Sequence, residues 1–414
     1  MPGKMLMERI RAKGLWRGPS LERVLFTLAA FLSGWMLRGM VSNHMTGRQD
    51  EQVRRLQETL GDPEHLAAHI KEKFLCKLPS DPACGNENDS FRRFERAGIH
   101  VLPVHFYSIV PEVGLLNRTK FERPHVTADM RAMCSRNPGT CPVPQMPSID
   151  MNINEQVRGM GVCEVLKMEF EAIPSRPKRA QDGGSIFHSR WACSQSTPAD
   201  QPCTPFGAID SQVYHCFVRG GTGWQGGVPP KKVIEIGSGH STYIAAAAMK
   251  RNAEQGVGGS LVSIEPFPSP TLRQGFEGIL FMLIEKNLQD VDLTEFLALE
   301  EGDILFVDST HIAVPGSDVV YIFTKIIPSL APGVIVHVHD ISLPFETAWD
   351  WTFQDYRFWN EQYLLQAFLV NNHEWEVLYM GMLWQHYFVH LLEKIFPLAG
   401  SNGGFWMRKR PTKA

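Results

Sequence analysis

The sequence lacks a strong charge of either sign and has no segment typical of nucleic-acid binding. Its 41 Lys and Arg residues and 44 Asp and Glu residues give a formal net charge of −3. After the amino terminus, no run of basic residues is interleaved with aromatic residues. Nucleic-acid binding requires a concentrated positive surface. We therefore expect no nucleic-acid partner.

Zinc-binding cysteine motifs are also missing. Eight cysteines occur, all between residues 76 and 216, and no two of them have C-x-x-C spacing. Structural zinc sites normally use such pairs. The even number and the clustering in Pro- and Asn-rich loops favour disulfides in an oxidising compartment instead. Three pairs are close in sequence, although the pattern does not fix the pairing: Cys76 and Cys84, Cys134 and Cys141, and Cys193 and Cys203.

The amino-terminal region lacks a signal-peptide cleavage motif after its apolar run, which spans residues 24–37. We therefore expect a basic cytoplasmic tail at 1–20 and a transmembrane signal anchor at 21–42. The run is short for a bilayer span of ~20 residues, which suits the thin membranes of the early secretory pathway. A helix packed on the domain and an organellar targeting peptide are the alternatives.

A polar, helix-prone stretch at 43–95 is predicted to form a stem between the anchor and the rest of the chain. This arrangement predicts a single-pass type II membrane protein that faces the lumen of the endoplasmic reticulum or Golgi apparatus. Two sequons, at Asn88 and Asn117, would be glycosylated in that lumen. The predicted partners are therefore a membrane, through the anchor, and a small-molecule or glycan acceptor.

The strongest local signal is a strand-to-helix turn at residues 233–242. A β-branched apolar run delivers Glu235, which is followed by Gly237, Ser238 and Gly239. Glycines at this spacing let the backbone bend sharply and approach a ligand closely. Such turns lie at the carboxyl end of a central parallel strand, where open α/β sheets bind nucleotides. A dinucleotide fingerprint would require a small residue at position 242, where Thr242 stands.

Three further strands of the predicted sheet end in polar side chains. The stretch 260–265 ends in Glu265, the stretch 303–308 ends in Asp308, and the stretch 333–339 leads to His339 and Asp340. An acidic residue that closes the second strand can accept hydrogen bonds from both ribose hydroxyls of an adenosine. The other predicted strands are 232–236, 283–289, 374–379 and 404–408.

These motifs, taken in order, resemble the class I S-adenosylmethionine-dependent methyltransferases. The similarity is greatest to the branch that reads "DSSH" after strand four and "HDI" after strand five, which is related to metal-dependent sugar O-methyltransferases. Here the chain reads Asp308-Ser-Thr-His311 and His339-Asp-Ile341. The resemblance covers about the last half of the chain. It implies an α/β fold: a Rossmann-like, seven-stranded sheet with helices on both faces, at residues 230–410. Residues 96–229 would form an accessory segment with disulfides and an insertion.

The resemblance also implies the site residues. S-adenosylmethionine would contact Glu235, Gly237, Ser238, Gly239, Glu265, Asp290 and Asp308. His311, three residues after the strand-four aspartate, corresponds to the catalytic base. Asp308, His339 and Asp340 correspond to ligands of a divalent metal ion. Because His339 replaces a carboxylate, Mg²⁺ is less favoured than a softer metal or none. The alternative for these side chains is a structural role as caps and sheet-end hydrogen-bonding groups.

The expected reaction is methyl transfer from S-adenosylmethionine to a hydroxyl acceptor with the assistance of a base, and assistance by a metal ion remains open. Two other functions remain open at this point. Asp290-Val-Asp292 is a D-x-D triplet, which a lumenal type II glycosyltransferase would use to bind a metal. A non-catalytic scaffold could also retain the methyltransferase fold. The sequence gives no indication of the oligomeric state.

Overall fold

The computed structural model describes residues 116–172, 206–353, 355, 357–398 and 400–411. They belong to one compact unit, Val110–Ala414. The expected tail, anchor and stem at 1–95 lie outside the described residues, as do the predicted insertion at 174–205 and four of the cysteines. Within the described ranges, none of the helices combines the length and the apolar character needed to cross a membrane.

The central element is a seven-stranded sheet with the order β3-β2-β1-β4-β5-β7-β6. The first five strands are parallel, and β7 is antiparallel to both of its neighbours. This topology agrees with the expected α/β sheet. The strands are β1 Lys232–Ile236, β2 Ser260–Ile264, β3 Leu280–Ile284, β4 Ile304–Val307, β5 Ile335–Val338, β6 Trp375–Met380 and β7 Phe405–Lys409.

Helices cover both faces of the sheet, which explains why β4 and β5 read as uninterrupted buried runs. Numbered in chain order, the helices are α1 Ala128–Arg136, α2 Ile153–Gly161, α3 Lys167–Ala172, α4 Ala208–Val218, α5 His240–Glu254, α6 Pro270–Arg273, α7 Thr294–Leu297, α8 Asp318–Tyr321, α9 Ile327–Ser329, α10 Trp349–Phe353, α11 Glu361–Leu369, α12 Gly381–Tyr387 and α13 Val389–Ile395. A π-helical turn, Ile322–Ile326, joins α8 to α9.

The topological switch point lies between β1 and β4, which pair in parallel although two strands, β2 and β3, separate them along the chain. Chain connections leave this point in opposite directions, so a crevice opens at the carboxyl ends of the two strands. The polar residues that follow β1, β4 and β5 all emerge at this edge of the sheet. The fold therefore gathers them at one place.

The third strand is displaced from its predicted position. The sequence predicted a strand at 283–289, whereas β3 spans Leu280–Ile284 and a 3₁₀ helix occupies Leu288–Asp290. The register explains the difference, because the five residues of β2 pair one to one with those of β3. β3 is an edge strand, and its Leu280 and Met282 are 69% and 48% exposed. All five residues of β3 are apolar, so the sequence shows no alternation of apolar and polar residues that would mark where the strand begins and ends.

Two disulfides hold the segment that precedes the sheet. Cys134 is bonded to Cys141, in agreement with the sequence grouping, and Cys163 is bonded to Cys216, a pairing that the sequence did not suggest. Cys216 belongs to α4, all of whose residues are buried. The second disulfide therefore fastens the accessory helices to the core of the sheet domain, on the carboxyl side of the long insertion.

Candidate active site

The glycine turn after β1 is held between the two neighbouring strands. Gly237 has φ of +84°, and a Cβ at this position would collide with the carbonyl oxygen of Asp308. Its N–H donates to the carbonyl of Ile264 at 3.0 Å. Only glycine tolerates both the left-handed conformation and this close approach. The end of β1 is therefore fixed to the ends of β2 and β4.

The Glu265 side chain closes the turn from the side of β2. Its Oε2 accepts from the Ser238 N–H at 3.2 Å, and its Oε1 accepts from the Phe267 N–H at 2.8 Å. The Gly239 N–H donates to the Thr242 hydroxyl at 3.1 Å. Each carboxylate oxygen has two lone pairs, so Glu265 retains acceptor capacity for the ribose hydroxyls assigned to it.

Glu235 lies inside the protein, away from the crevice. Its carboxylate accepts from the Tyr214 hydroxyl at 3.0 Å and from the Ser263 hydroxyl at 2.9 Å. Burial raises the pKa of Glu235 to about 7, although hydrogen bonds from Thr242, Ser263, Tyr214 and Ser241 oppose the shift. Of the two expected roles, orienting the turn and binding the methionine end of the cofactor, these contacts serve the first.

Asp290 lies on the exposed 3₁₀ helix that replaces the predicted strand end, and the Asn287 amide donates to it at 3.4 Å. Asp292 forms a local turn just before α7, in which its Oδ1 accepts from the backbone N–H and the hydroxyl of Thr294. These hydrogen bonds lower the pKa of Asp292. Val291, between the two acids, is buried. The D-x-D triplet therefore has a local structural role, which removes the main support for a glycosyltransferase.

The second half of the site surrounds His311. Its Nε2 lies 3.4 Å from Asp308 Oδ1 and 3.6 Å from Asp340 Oδ2, and its Nδ1 lies 2.8 Å from Glu361 Oε2. Both His311 and Asp340 are non-glycine residues with positive φ, of 62° and 54°. Strained backbones of this kind cluster at functional sites, where the surrounding structure enforces them. The structure thus brings the predicted base and both aspartates together.

The carboxylates around His311 determine its charge. Burial alone would lower the pKa of this imidazole, but hydrogen bonds to Asp308 and Glu361 and the charges of Glu361 and Asp340 raise it to about 10. The pKa of Asp308 is lowered, because the charges of His339 and His311 outweigh the effect of its burial. At neutral pH the imidazole therefore carries a proton in the resting site.

Two further histidines lie beneath the cluster around His311, at the end of β5. His337 and His339 are two residues apart, so both side chains point the same way, and their Nε2 and Nδ1 atoms are 3.3 Å apart. Asp210, from α4, accepts from the backbone N–H groups of Gly403 and Gly404. Burial raises the pKa of Asp210 to about 6, although the charge of His339 opposes it.

The predicted metal ligands do not fit a metal ion in this arrangement. A divalent ion requires its ligand atoms at about 2.0–2.6 Å from one centre. The space between Asp308 and Asp340 is faced by His311 Nε2, and His339 Nε2 lies 3.6 Å from Asp340 Oδ1. Across the ranges that the structure describes, no group of three or more His, Cys, Asp or Glu residues could hold a metal ion. A protonated imidazole takes the position expected for the cation.

Sequence reasoning missed two buried acids of this site, Asp210 and Glu361. No local spacing in the sequence marks the chemistry of either residue. Glu361 is fifty positions from its partner His311. His337 was detectable in principle, because the His-x-His spacing on a predicted strand places both rings on one face.

The sheet order, the switch-point crevice and the glycine turn define a Rossmann-like α/β fold. A methyltransferase-domain family model matches residues 234–341, from β1 to just beyond Asp340. The chain is also similar to an uncharacterized protein of Archaeoglobus fulgidus, with 42% identity over 206 residues, which cover 49% of this chain and 75% of that protein. The chain therefore contains a methyltransferase domain, and it belongs to the same family as the archaeal protein.

Proposed function

We propose that this protein transfers the methyl group of S-adenosylmethionine to a hydroxyl oxygen, with His311 as the base. The observation that carries the proposal is the meeting of two groups of residues at one edge of the sheet. The glycine turn and Glu265 offer a site for the adenosine part of the donor. Across the switch point, His311, Asp308 and Asp340 offer a polar site for a reacting hydroxyl.

The chemistry requires a proton acceptor beside the attacking oxygen. As the hydroxyl attacks the sulfonium methyl group, the new C–O bond forms, the C–S bond breaks, and the hydroxyl proton must leave. The imidazole Nε2 of His311 can accept that proton once it has released its own. No step is assigned to a metal ion, because the donor atoms do not fit one.

The acceptor is proposed to be a sugar or glycan hydroxyl in the lumen of the secretory pathway. The two disulfides support an oxidising compartment. Asn117, the described sequon, is exposed and available to a glycosyltransferase. Its Oδ1 accepts from the backbone N–H and the hydroxyl of Thr119. The proposed anchor at 21–42 would give the required orientation. A mobility shift of the microsomal protein on glycosidase treatment supports this placement, and full digestion by added protease in intact microsomes contradicts it.

Two measurements test the reaction. Titration calorimetry of the full chain with S-adenosylhomocysteine is expected to show binding, whereas a nucleotide sugar is expected to show none. Transfer of a labelled methyl group from S-adenosylmethionine to p-nitrophenyl glycosides then separates an enzyme from a scaffold. A His311→Ala variant is expected to bind S-adenosylhomocysteine normally and lose methyl transfer. Absence of donor binding rejects the proposal, and binding without transfer to these hydroxyls rejects the acceptor class.

A further inference from the structure

We propose that Glu361 is a positioning residue, which holds His311 Nδ1 and thereby directs Nε2 to the place where the acceptor hydroxyl must react. The reaction part of this inference rests on the proposed function. The positioning itself does not, since it concerns only the contacts of two side chains in the resting protein. The methyltransferase-domain family model does not reach Glu361, because it matches residues 234–341.

The pair is close and buried. Glu361 Oε2 lies 2.8 Å from His311 Nδ1, and the two residues are 2% and 6% exposed. A carboxylate on Nδ1 requires that this nitrogen carries a proton. The other ring nitrogen, Nε2, is then the one that faces Asp308 and Asp340 at the carboxyl ends of β4 and β5.

The start of α11 also holds the backbone of His311. The N–H groups of Asn360 and Glu361 both donate to the carbonyl of His311, at 3.1 and 3.3 Å. The Asn360 side chain accepts from the Ala313 N–H, and the Trp359 ring packs on the imidazole with 4.5 Å between centroids. These contacts enforce the positive φ of His311. With His311 held at its carbonyl, its ring face and its Nδ1, the other ring nitrogen, Nε2, is directed at Asp308 and Asp340.

The hydrogen bonding of Glu361 argues against a purely structural purpose. Its Oε1 is buried and has no hydrogen-bond partner in the described structure. A buried, half-satisfied carboxylate is costly unless a charged partner compensates it. Asp308 and Asp318 are like charges that oppose its ionisation, so His311 is the group that stabilises it. If only the shape of the side chain mattered, a glutamine, whose amide is uncharged, would fill the same space.

The arrangement matches a general principle of acid–base catalysis. A base that must accept a proton at one ring nitrogen is oriented by a carboxylate at the other, which fixes the tautomer and stabilises the imidazolium that forms. Here the orienting carboxylate comes from α11, after β5, and the base comes from the loop after β4. The tertiary structure, and no local motif, creates the pair.

The test is ¹⁵N NMR of the His311 imidazole in the full-length protein, labelled with ¹⁵N at histidine and assigned with His311→Ala. In the wild type we expect the proton on His311 Nδ1 to be shifted downfield and to exchange slowly with water, because a buried carboxylate accepts from it. In Glu361→Gln we expect both features to be reduced, because an amide oxygen is an uncharged and weaker acceptor. Gln362→Ala is the matched control, since it removes a buried side chain on the same turn of α11, whose Oε1 accepts from the Ser342 N–H. We expect this control to leave the Nδ1 proton unchanged.

Binding of S-adenosylhomocysteine checks that each variant is folded, and its affinity is expected to be the same in all three proteins. With p-nitrophenyl glycosides as acceptors, Glu361→Gln is expected to lower the plateau kcat at unchanged KM and to move the alkaline limb of the pH profile to lower pH. An unchanged Nδ1 proton in Glu361→Gln overturns the inference. If the wild-type protein transfers no methyl group, the proposed function fails, while the NMR measurement still decides the role of Glu361.

Discussion

The backbone carbonyl of Asp308 lies against the α-carbon of Gly237, so closely that no side chain can fit between them. This contact connects the turn that would receive the methyl donor to the strand that presents the predicted base. A shift of either element moves the other. The two halves of the candidate site are therefore built as one unit.

Replacing each of the two glycines of the turn by alanine is expected to affect different properties: the stability of the protein at Gly237 and the binding of the ligand at Gly239. Gly237→Ala must adopt a positive φ and displace Asp308, so we expect a loss of about 2–4 kcal/mol in the free energy of unfolding. A Cβ at Gly239 would meet nothing within 4 Å, and its φ of 169° suits any residue. Gly239→Ala is therefore expected to unfold like the wild type.

Ligand binding, in contrast to stability, is expected to distinguish Gly239→Ala from the wild type. If Gly239 lets the backbone approach the donor, the methyl group of the alanine in Gly239→Ala would reduce the affinity for S-adenosylhomocysteine without changing the stability of the protein. Urea denaturation and titration calorimetry on both variants measure the two effects. Wild-type affinity in Gly239→Ala would show that this glycine does not face the ligand.

The sequence could predict those residues of the site that lie in a recognisable local pattern. Gly237, Glu265 and Asp308 each follow a buried strand in a recognisable order, and parallel strands place their carboxyl ends together. β3 was misplaced, because an exposed edge strand with an apolar run has no alternation to mark its bounds. Glu361 was unpredictable in its role, because the contact that defines it spans fifty residues.

The charge state of His311 could not be predicted from the sequence either. An isolated histidine has a pKa of ~6.5 and would serve directly as a base near neutral pH. Three carboxylates around His311 raise its pKa to about 10. That shift results from groups on β4, β5 and α11, whose convergence only the folded chain produces. Among the described residues, the same convergence forms no group of three or more side chains that could hold the metal implied by the resemblance.

The buried Glu235 should make the protein less stable as the pH rises. Its pKa is about 7 in the folded state, against 4.5 for the ordinary side chain. Below pH 4.5 the carboxyl is neutral in both states, and the stability is fully present. Between about pH 4.5 and 7 the unfolded chain ionises first, which removes about 3 kcal/mol from the free energy of unfolding.

Glu235→Gln is expected to weaken this dependence, because the amide is neutral at every pH and can still accept from the Tyr214 hydroxyl. Urea denaturation at pH 5 and pH 8 gives the difference for both proteins. Asp210, whose pKa is about 6, contributes a similar slope that remains in the variant. Equal pH dependence in the two proteins would mean that Glu235 is ionised in the folded state.

Removal of metal ions is expected to leave methyl transfer unchanged. The positive charge between Asp308 and Asp340 is supplied by the His311 imidazole, so the carboxylates need no additional cation. The measurement is the initial rate with p-nitrophenyl glycosides after dialysis against EDTA, with and without added Mg²⁺ or Mn²⁺. A rate that disappears with EDTA and returns with either ion would contradict this expectation and restore the predicted metal site.

The rate of methyl transfer is expected to rise with pH well beyond neutrality. With a pKa of about 10, only a small fraction of His311 is unprotonated at pH 7, and that fraction increases about tenfold per pH unit until the pKa is reached. We therefore expect log kcat/KM to increase with a slope near one between about pH 7 and 9. The affinity for S-adenosylhomocysteine, measured over the same range, controls for changes in donor binding. A rate that falls as the pH rises through this range would mean that the protonated imidazole is the working form. His311 would then stabilise charge or donate a hydrogen bond, and the proton of the acceptor hydroxyl would have to leave through Asp308 or Asp340.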